Sequence, residues 1–374
     1  MMQLIFFAVS ILVLMAGHIL FWLAFVILFH ITSFEGRLVA AAIILFLYLS
    51  TITASYLIHK IDNLLTRWYY IVTGFWIGLF VNFSLMVILI YILKLGGDYF
   101  DYNFPLIVFK IIFFGGASLL SIYGLYSAWQ PKVSTYQVVI KDLPDSWDNK
   151  VVVQISDVHL GPVYREHFFS RLLSKVQALN PEAVFITGDL FDGMESDFSW
   201  LNHPFRRMSV PRGIYYSFGN HDLYLGFNRA IALLQESPIV ILDNKMVLVD
   251  GLQIIGINYS FNKDFDLEAA ILKQVAYSKE KASILLFHEP KNIKFAKNAE
   301  IDLQLSGHTH NGQLFPFNYL AKLFYKGYAA GLFSDGDFSL IVNRGAGTWG
   351  PPMRTSGRSE IVKIILKKKQ NESI

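Results

Sequence analysis

The chain has 374 residues, of which 53% are hydrophobic, and its formal net charge is +3. The weak charge, with no long block of like-charged residues, argues against a nucleic-acid partner. The sequence contains no cysteine, which excludes disulfide bonds, catalytic thiolates and zinc–cysteine sites.

The positive mean hydropathy of +0.41 comes from the first third of the chain. Four apolar stretches, residues 4–29, 38–58, 68–93 and 105–129, each reach the roughly 20 residues that a helix needs to cross the hydrocarbon core. The first stretch is too long for a secretory signal and lacks its basic start. We therefore predict a transmembrane region of four helices over residues 1–131 and a separate domain over residues 132–374.

The distribution of lysine and arginine in the short loops predicts the orientation of these spans. Lys60 and Arg67 lie in the middle loop, and Lys132 and Lys141 follow the last span on the same side. The opposite side carries fewer basic residues, and acidic residues accompany them. We therefore predict a multi-pass protein of the inner (cell) membrane whose N-terminus, middle loop and residues 132–374 face the cytoplasm.

Three polar side chains, His18, Asn82 and Lys110, fall inside the predicted spans. Polar groups at this depth mark either a transport path or buried hydrogen bonds. No ladder of paired charges accompanies them, so we interpret them as buried hydrogen bonds, or for Lys110 as a side chain that extends to a span end. The region is then an anchor or a dimerisation surface rather than a pore.

Beyond residue 133 the pattern changes to short apolar strands that alternate with loops and helices. Five apolar segments deliver ionisable side chains at their C-terminal ends, which is where open α/β sheets place their ligands. A single motif of this kind is most simply a turn, but five in succession predict a metal site. The motifs are Asp157-Val158-His159, Gly188-Asp189-Leu190-Phe191-Asp192, Gly219-Asn220-His221-Asp222, His288 and Gly307-His308-Thr309-His310.

The side chains of these motifs offer oxygen and imidazole ligands without thiolate. This combination favours Mn²⁺, Fe or Zn²⁺ over Cu. With one carboxylate left over to act as a bridge, the ligands predict a hydrolytic centre that holds two divalent metal ions. Mn²⁺ is the cofactor that we expect, with Fe or Zn²⁺ as alternatives.

In these motifs the domain resembles the calcineurin-like metallophosphoesterase superfamily, whose signature is Asp-x-His, Gly-Asp-x-x-Asp, Gly-Asn-His-Asp/Glu, His and Gly-His-x-His. The resemblance covers about residues 133–366. Residues 302–310 and 345–354 are similar to its membrane-linked bacterial branch, which is related to UDP-2,3-diacylglucosamine pyrophosphatases. The resemblance implies an α/β fold, the four-layer α/β/β/α metallophosphoesterase sandwich, preceded here by the all-α four-helix transmembrane region.

The resemblance also implies a role for each residue of the motifs. Asp189 would bridge the metal ions, which would activate a bridging hydroxide for attack on phosphorus. His221 would protonate the leaving oxygen or stabilise its charge, and Asp222 would orient the His221 imidazole. Asp192 would support the ligands rather than bind metal. The first ion would be held by Asp157, His159 and His310, and the second by Asn220, His288 and His308.

Two residues are predicted to contact the substrate, Arg354 and Asn220. For Arg354 a bidentate phosphate contact and a surface salt bridge are equally open interpretations. Asn311 stands where the branch has glycine. Because asparagine tolerates left-handed backbone, we expect the turn to be retained.

Residues 314–328 are rich in leucine and aromatic side chains and contain two lysines. This segment is either part of the core or a short amphipathic helix at the membrane interface beside the site. We favour the helix, because the spans hold the domain near the bilayer.

Together the patterns predict a membrane-integral hydrolase that cleaves a phosphoester or diphosphate bond. The anchor favours a lipid-linked substrate, for example UDP-2,3-diacylglucosamine. Two alternatives remain, a phosphodiesterase of soluble substrates such as cyclic nucleotides and a non-catalytic membrane scaffold. The complete ligand set argues against the scaffold. The sequence does not indicate an oligomeric state.

Overall fold

The computed structural model describes residues 2–261 and 277–370. Its contacts divide the chain into two compact units, Met1–Gly124 with Gly350–Pro352 and Leu125–Trp349 with Met353–Ile374. The sequence suggested a boundary after residue 131, whereas the structure assigns the end of the fourth helix to the second unit.

Four long helices dominate the N-terminal part of the described chain, and by length and composition each can cross a membrane. The predicted spans are therefore confirmed as long apolar helices. The third helix is longer than expected, because it continues through Gly96 and Gly97 and ends only at Asp101, whose φ is 52°. The helices are α1 (Met2–Leu28), α2 (Phe34–Lys60), α3 (Leu64–Phe100) and α4 (Leu106–Trp129).

Local capping explains where α2 and α3 begin. The Ser33 hydroxyl accepts a hydrogen bond of 3.1 Å from the backbone N–H of Gly36. The side chains of Asn63 and Thr66 form a reciprocal capping box at the start of α3. Caps of this kind stabilise a helix by about 1 kcal/mol. The polar residues between the predicted spans therefore include the caps at which the next helices begin.

The polar side chains inside the helices form buried hydrogen bonds. Trp76 Nε1 donates to His18 Nε2 at 3.2 Å, and Asn82 Nδ2 donates to Ser121 Oγ at 2.8 Å. Lys110 Nζ donates to a backbone carbonyl at the end of α1. These contacts agree with the interpretation of the polar residues as structural.

Two six-stranded sheets form the centre of the second unit. Most neighbouring strands of the described chain are parallel, and three pairs are antiparallel. The first sheet has the order β1 (Lys132–Ile140), β12 (Glu360–Lys368), β2 (Val151–Ile155), β3 (Ala183–Thr187), β4 (Ile214–Ser217) and β5 (Ile239–Ile241). The second has the order β10 (Gly331–Asp335), β11 (Phe338–Val342), β9 (Leu303–Ser306), β8 (Ser283–Phe287), β7 (Leu252–Ile257) and β6 (Lys245–Val249).

Both sheets are covered on their outer faces, which explains why the central strands are apolar without alternation. On β2, Val152 belongs to the core between the sheets, while Val153 belongs to the core beneath the helices of the first sheet. On β8, Leu285 packs against Ala296 in the outer core of the second sheet. These three cores confirm the α/β/β/α order of layers. The helices are α5 (Glu166–Gln177), α6 (Asn202–Phe205), α7 (Asn220–Leu225), α8 (Phe227–Leu234), α9 (Ile293–Asn298) and α10 (Phe317–Phe324).

Candidate metal centre

The predicted ligands converge because each follows the carboxyl end of a central strand. In parallel sheets these ends lie at one edge, so residues distant in sequence meet there. The contributing strands belong to both sheets. Asp157 and His159 follow β2, Asp189 follows β3, Asn220 and His221 follow β4, His288 follows β8, and His308 and His310 follow β9.

Three overlapping groups of ligand atoms occur at this edge, each with its atoms within 4.8 Å of one another. Asp189 belongs to two of them, which is the placement that a bridging carboxylate requires. The groups are Asp157 with His159 and His310, Asp189 with His288 and His308, and His159 with Asp189 and His221.

The spacing of the ligand atoms fits metal coordination. His159 Nε2 lies 3.0 Å from His310 Nε2, and His308 Nδ1 lies 3.2 Å from His288 Nε2. His288 Nε2 is also 3.1 Å from Asp189 Oδ2. Ligand bonds of about 2.0–2.1 Å place neighbouring donor atoms roughly 3 Å apart around one ion.

Asn220 supplies an independent sign that the residues fit a metal ion. Its side chain is only 6% exposed, and its Oδ1 has no hydrogen-bond partner among the described residues. Leaving a buried amide oxygen unsatisfied costs about 1–3 kcal/mol, and a divalent cation is the partner that an oxygen ligand at this position suits.

One ligand histidine, His288, has a hydrogen-bond acceptor at the nitrogen that faces away from the cluster, and carboxylates lie near the corresponding nitrogens of two others. Such partners fix the ring and its tautomer in metal sites generally. Asp192 lies beside His159 rather than among the ligand atoms, and its supporting role stays a prediction. The distances are 3.2 Å from His159 Nδ1 to Asp192 Oδ1, 2.7 Å from His288 Nδ1 to Thr187 O, and 3.6 Å from His308 Nε2 to Glu289 Oε1.

Glu289 is a site residue that the sequence reasoning missed. Its buried carboxylate lies between His308 and Lys291, whose Nζ is 2.5 Å from Oε1. In the sequence, Glu289 could be noticed only because it directly follows His288. A single acidic residue at that position does not by itself indicate a role in the site.

Arg354 is not a surface salt bridge, so that interpretation of the residue is wrong, while its contact with a substrate phosphate stays a prediction. Its side chain is 1% exposed, and its guanidinium donates to the carbonyls of Gly347 and His310 at 2.6 and 3.2 Å. Nη2 also lies 2.9 Å from His310 Nδ1. Burial lowers the pKa of Arg354 to about 10, which leaves it charged at neutral pH. The residue supports a metal ligand from behind.

His221 is held at the edge of the cluster. Its Nδ1 is 2.9 Å from the carbonyl of Asp192, which leaves Nε2 as the nitrogen available to the site. Its backbone N–H donates to Asp189 Oδ1 at 2.8 Å, so its position is tied to the central carboxylate. This placement suits a proton donor beside the metal ligands.

Asp222 does not orient His221, which corrects the role expected for it. Its carboxylate instead accepts three backbone hydrogen bonds, from Asp189 at 2.7 Å, Gly219 at 2.8 Å and Phe191 at 3.0 Å. Asp222 therefore joins the loop after β3 to the start of α7. The imidazole is oriented by a backbone carbonyl instead.

Burial controls the ionisation of the cluster. Burial raises the pKa of Asp157, and the charge of Asp189 adds to this. Burial alone would raise the pKa of Asp189 too, but the surrounding histidines, above all His288, hold it well below its usual range. Burial lowers the pKa of His308 to about 3, with a further contribution from His288. Burial opposes a charge on His288, but Asp189 beside it raises the pKa of His288 to about 10. These directions favour an ionised Asp189 and a neutral His308.

The backbone at the ligands is strained. Several non-glycine ligand residues have left-handed φ angles, a conformation that costs on the order of 1–3 kcal/mol each and clusters at functional sites. Asn311 also has φ 50° and ψ 39°, so the turn that family members make with glycine is retained. The ligand angles are 51° at Asp157, 53° at His159, 50° at Asp189, 69° at His308 and 48° at His310.

Aromatic rings surround the ligands, and the sequence reasoning did not assign them. The ring centroids of Tyr224 and Trp349 lie 5.1 and 5.8 Å from that of His221. Those of Tyr259 and Tyr325 lie 5.9 and 6.1 Å from that of His308. These four aromatic residues come from separate loops and helices, so no local sequence pattern predicts that they lie beside the ligands.

The chain is similar to several known proteins. A model of calcineurin-like phosphoesterases matches residues 150–312. An uncharacterized metallophosphoesterase of Campylobacter jejuni is 32% identical over 337 residues, which cover 87% of this chain and 89% of that protein. A transmembrane protein with metallophosphoesterase domain from Danio rerio is 36% identical over 273 residues, covering 67% and 61%. Among solved structures, a dimetal phosphatase from Danio rerio aligns with a TM-score of 0.37 and 11% identity, covering 58% of this chain and 99% of that one.

The chain belongs to the calcineurin-like metallophosphoesterase family. It is a metal-dependent phosphoesterase with four apolar helices before its catalytic domain. The family implies divalent metal ions, and the ligands above fit them. When bound, such ions lower the pKa of water and neutralise charge on a phosphate. The chain's own residues hold the ligands in place, and His221 lies beside them with a pKa that burial lowers. Its role as a proton donor stays a prediction.

Proposed function

We propose that this protein hydrolyses a phosphoester or diphosphate bond of a lipid-linked substrate, such as a nucleotide–lipid diphosphate, with Mn²⁺ as its metal. The basic loops support a location in the inner membrane with the catalytic domain on the cytoplasmic side. Asn220 would contact the substrate from its place among the metal ligands. A single observation carries the lipid part of the proposal, the exposed apolar face of α10.

Helix α10 is amphipathic. Ala321 packs inward, while Leu323 and Phe324 are 75% and 78% exposed. Lys322 and Lys326 flank this apolar surface and suit the anionic surface of a membrane. A short helix with these properties fits the plane of a membrane interface, because its apolar face would there be buried in lipid.

The same segment reaches the metal ligands. Tyr325 directly follows α10, and its ring centroid is 6.1 Å from that of His308. A lipid chain that packs on Leu323 and Phe324 would therefore leave its phosphate near the ligand cluster. Because the apolar face of α10 leads directly to the ligand cluster, it favours a substrate that is partly embedded in the bilayer.

The test compares lipid and soluble substrates. Replacing Phe315, Phe317 and Phe324 by serine should lower hydrolysis of a lipid diphosphate in detergent micelles by about tenfold or more, since each fully buried phenylalanine contributes about 1.5–3 kcal/mol. Hydrolysis of a small chromogenic phosphodiester should be unchanged. Leu248→Ser, at another exposed apolar side chain, is the control and should affect neither. An equal loss on both substrates would refute the proposal.

A phosphodiesterase of soluble substrates is the second candidate. It is favoured by Trp349, which is 52% exposed although its ring lies beside His221, because an exposed ring can stack on a nucleobase. Turnover of soluble cyclic nucleotides by the purified protein with Mn²⁺, without turnover of lipid diphosphates, would support this candidate. Absence of turnover with any metal, with cellular function unchanged by Asp189→Ala, would instead indicate a scaffold.

A further inference from the structure

The C-terminal end of α4 is surrounded by basic side chains of the catalytic domain. Leu125–Trp129, the last turn of this helix, belongs to the second unit. The last carbonyls of a helix lack partners within the helix. Here the partners are cationic: Arg171 Nη2 donates to Trp129 O at 2.7 Å, Arg358 Nη2 to Gln130 O at 2.8 Å, and Lys175 Nζ to Pro131 O at 3.1 Å.

These three cations exceed the negative charge that faces them. Within the part of the chain that the structure describes, Arg171, Lys175 and Arg358 form no ion pair with a carboxylate. The end of a helix contributes only about half of a negative charge, so roughly two and a half positive charges remain uncompensated. Burial lowers the pKa of Lys175, and the neighbouring Arg171 and Arg358 lower it further. An anion would relieve this repulsion.

The two guanidiniums also retain free donors. Arg171 uses one nitrogen and Arg358 two for the carbonyls, whereas each guanidinium carries five N–H groups. Guanidinium groups bind phosphate oxygens in pairs, which makes arginine well suited to phosphate recognition. Both side chains are only half-buried, so an anion can reach them.

An aromatic side chain marks the same level of the helix. The Arg358 guanidinium lies over the Tyr126 ring, 5.5 Å from its centroid, and Tyr126 is 54% exposed. Exposed tyrosines at the ends of membrane-spanning helices lie at the height of the lipid headgroups. The basic cluster surrounds the end of α4, which is long and apolar enough to cross a membrane.

We propose that Arg171, Lys175 and Arg358 bind the phosphate of an anionic phospholipid headgroup at the C-terminal end of α4. The occupant is a lipid of the surrounding membrane rather than the substrate, so the proposal does not depend on which bond the enzyme cleaves. The bound headgroup would neutralise the cluster at the point where the anchor joins the catalytic domain.

The experiment places the full-length protein in lipid nanodiscs of phosphatidylcholine with increasing fractions of phosphatidylglycerol. Lipid that stays bound after release from the discs is measured by native mass spectrometry. We expect the wild-type protein to retain phosphatidylglycerol preferentially. The combined variant Arg171→Gln, Lys175→Gln, Arg358→Gln should lose this preference, by about fivefold for each cation removed.

A matched control removes the same charge elsewhere. Lys367→Gln, Lys368→Gln, Lys369→Gln changes the basic C-terminal segment and should leave the preference intact. Equal retention of both lipids by the wild type overturns the proposal, as does an equal loss in the control. If free glycerol phosphate, at the same concentration as the lipid, displaces phosphatidylglycerol from the protein, the cluster binds soluble anions. That result also overturns the proposal.

Conservative variants keep the test decisive if the triple variant does not fold. Lys175→Arg and Arg358→Lys preserve charge and should retain the lipid preference, while Lys175→Gln alone should weaken it by about fivefold. The preference of the wild type should also fall at high salt, since salt screens exposed charges. A preference that Lys175→Gln and salt leave unchanged contradicts the proposal.

Discussion

Arg354 Nη2 lies 2.9 Å from His310 Nδ1, and both side chains are buried behind the ligand cluster. A guanidinium can only donate, and here it also donates to the carbonyls of Gly347 and His310, which anchors the residue behind the ring. His288 Nδ1 instead lies 2.7 Å from an acceptor, the Thr187 carbonyl. The same guanidinium holds the carbonyl of Gly347, so one side chain fixes both the ring of a ligand and the loop behind it.

We therefore expect Arg354→Met to weaken metal binding by about 10–100-fold, the range seen when supporting partners of metal ligands are removed. Arg354→Lys should recover part of this loss, because it restores a charge but not the forked set of donors. Calorimetric titration of the metal-free protein with Mn²⁺ measures the affinity. Arg344→Met is the control, since Arg344 pairs with Glu360 rather than with a ligand. Normal metal affinity in Arg354→Met would show that the contact is dispensable.

Glu289 is expected to act on the opposite half of the site. Its carboxylate faces His308 Nε2 at 3.6 Å, so Glu289→Gln should loosen that ring and lower affinity for one metal ion by about tenfold. Metal content after dialysis, measured by atomic emission, should fall toward one ion per chain. Glu300→Gln, at an exposed acidic residue, should leave the content unchanged. Full occupancy in Glu289→Gln would contradict the assigned role.

Metal removal should destabilise the catalytic domain. Without ions, Asp157, Asp189 and five histidines form overlapping groups whose ligand atoms lie within 4.8 Å of one another. Ligand binding at one hundred times the dissociation constant stabilises a protein by about 2.7 kcal/mol, so a chelator should lower the midpoint of thermal unfolding by several degrees. Asp189→Asn should have a low midpoint that chelation no longer changes. A chelator-sensitive midpoint in Asp189→Asn would show that Asp189 is not needed to hold metal.

The sequence predicted that these side chains would converge, because their positions follow a local rule. Asp157, Asp189 and His288 each end an apolar strand, and parallel packing then brings strand ends together without further information. The supporting contacts follow no such rule. Arg354 meets a histidine 44 positions away, and Asp222 bonds a backbone N–H 33 positions away, which no spacing predicts.

The same limit applies to helix ends in the membrane region. Gly96 and Gly97 resemble a break, since glycine destabilises an isolated helix by about 1 kcal/mol. The structure nevertheless continues α3 to Phe100. Propensity is a weak local preference, and neighbouring apolar residues outweigh it here.

Asp302 provides a prediction about pH. It precedes β9 and accepts a hydrogen bond of 2.8 Å from the Ser283 backbone N–H. Burial raises the pKa of Asp302 from 3.8 to about 6, against the opposing effect of the Ser283 bonds. Because this folded pKa exceeds the unfolded one, its contribution to stability is complete in acid and is lost as the pH rises through about 6. At neutral pH the ionised carboxylate costs the fold on the order of 1–3 kcal/mol.

Asp302→Asn keeps an acceptor oxygen for Ser283 but cannot ionise. We expect it to raise the midpoint of thermal unfolding at about pH 8 and to leave it nearly unchanged at about pH 4, where Asp302 is already protonated. Differential scanning fluorimetry of the detergent-solubilised protein at both pH values measures the difference. Asp337→Asn is the control, because the exposed Asp337 pairs with Lys369 and its pKa is lowered by that lysine. A gain of equal size at both pH values would mean that the effect of Asp302→Asn does not come from ionisation.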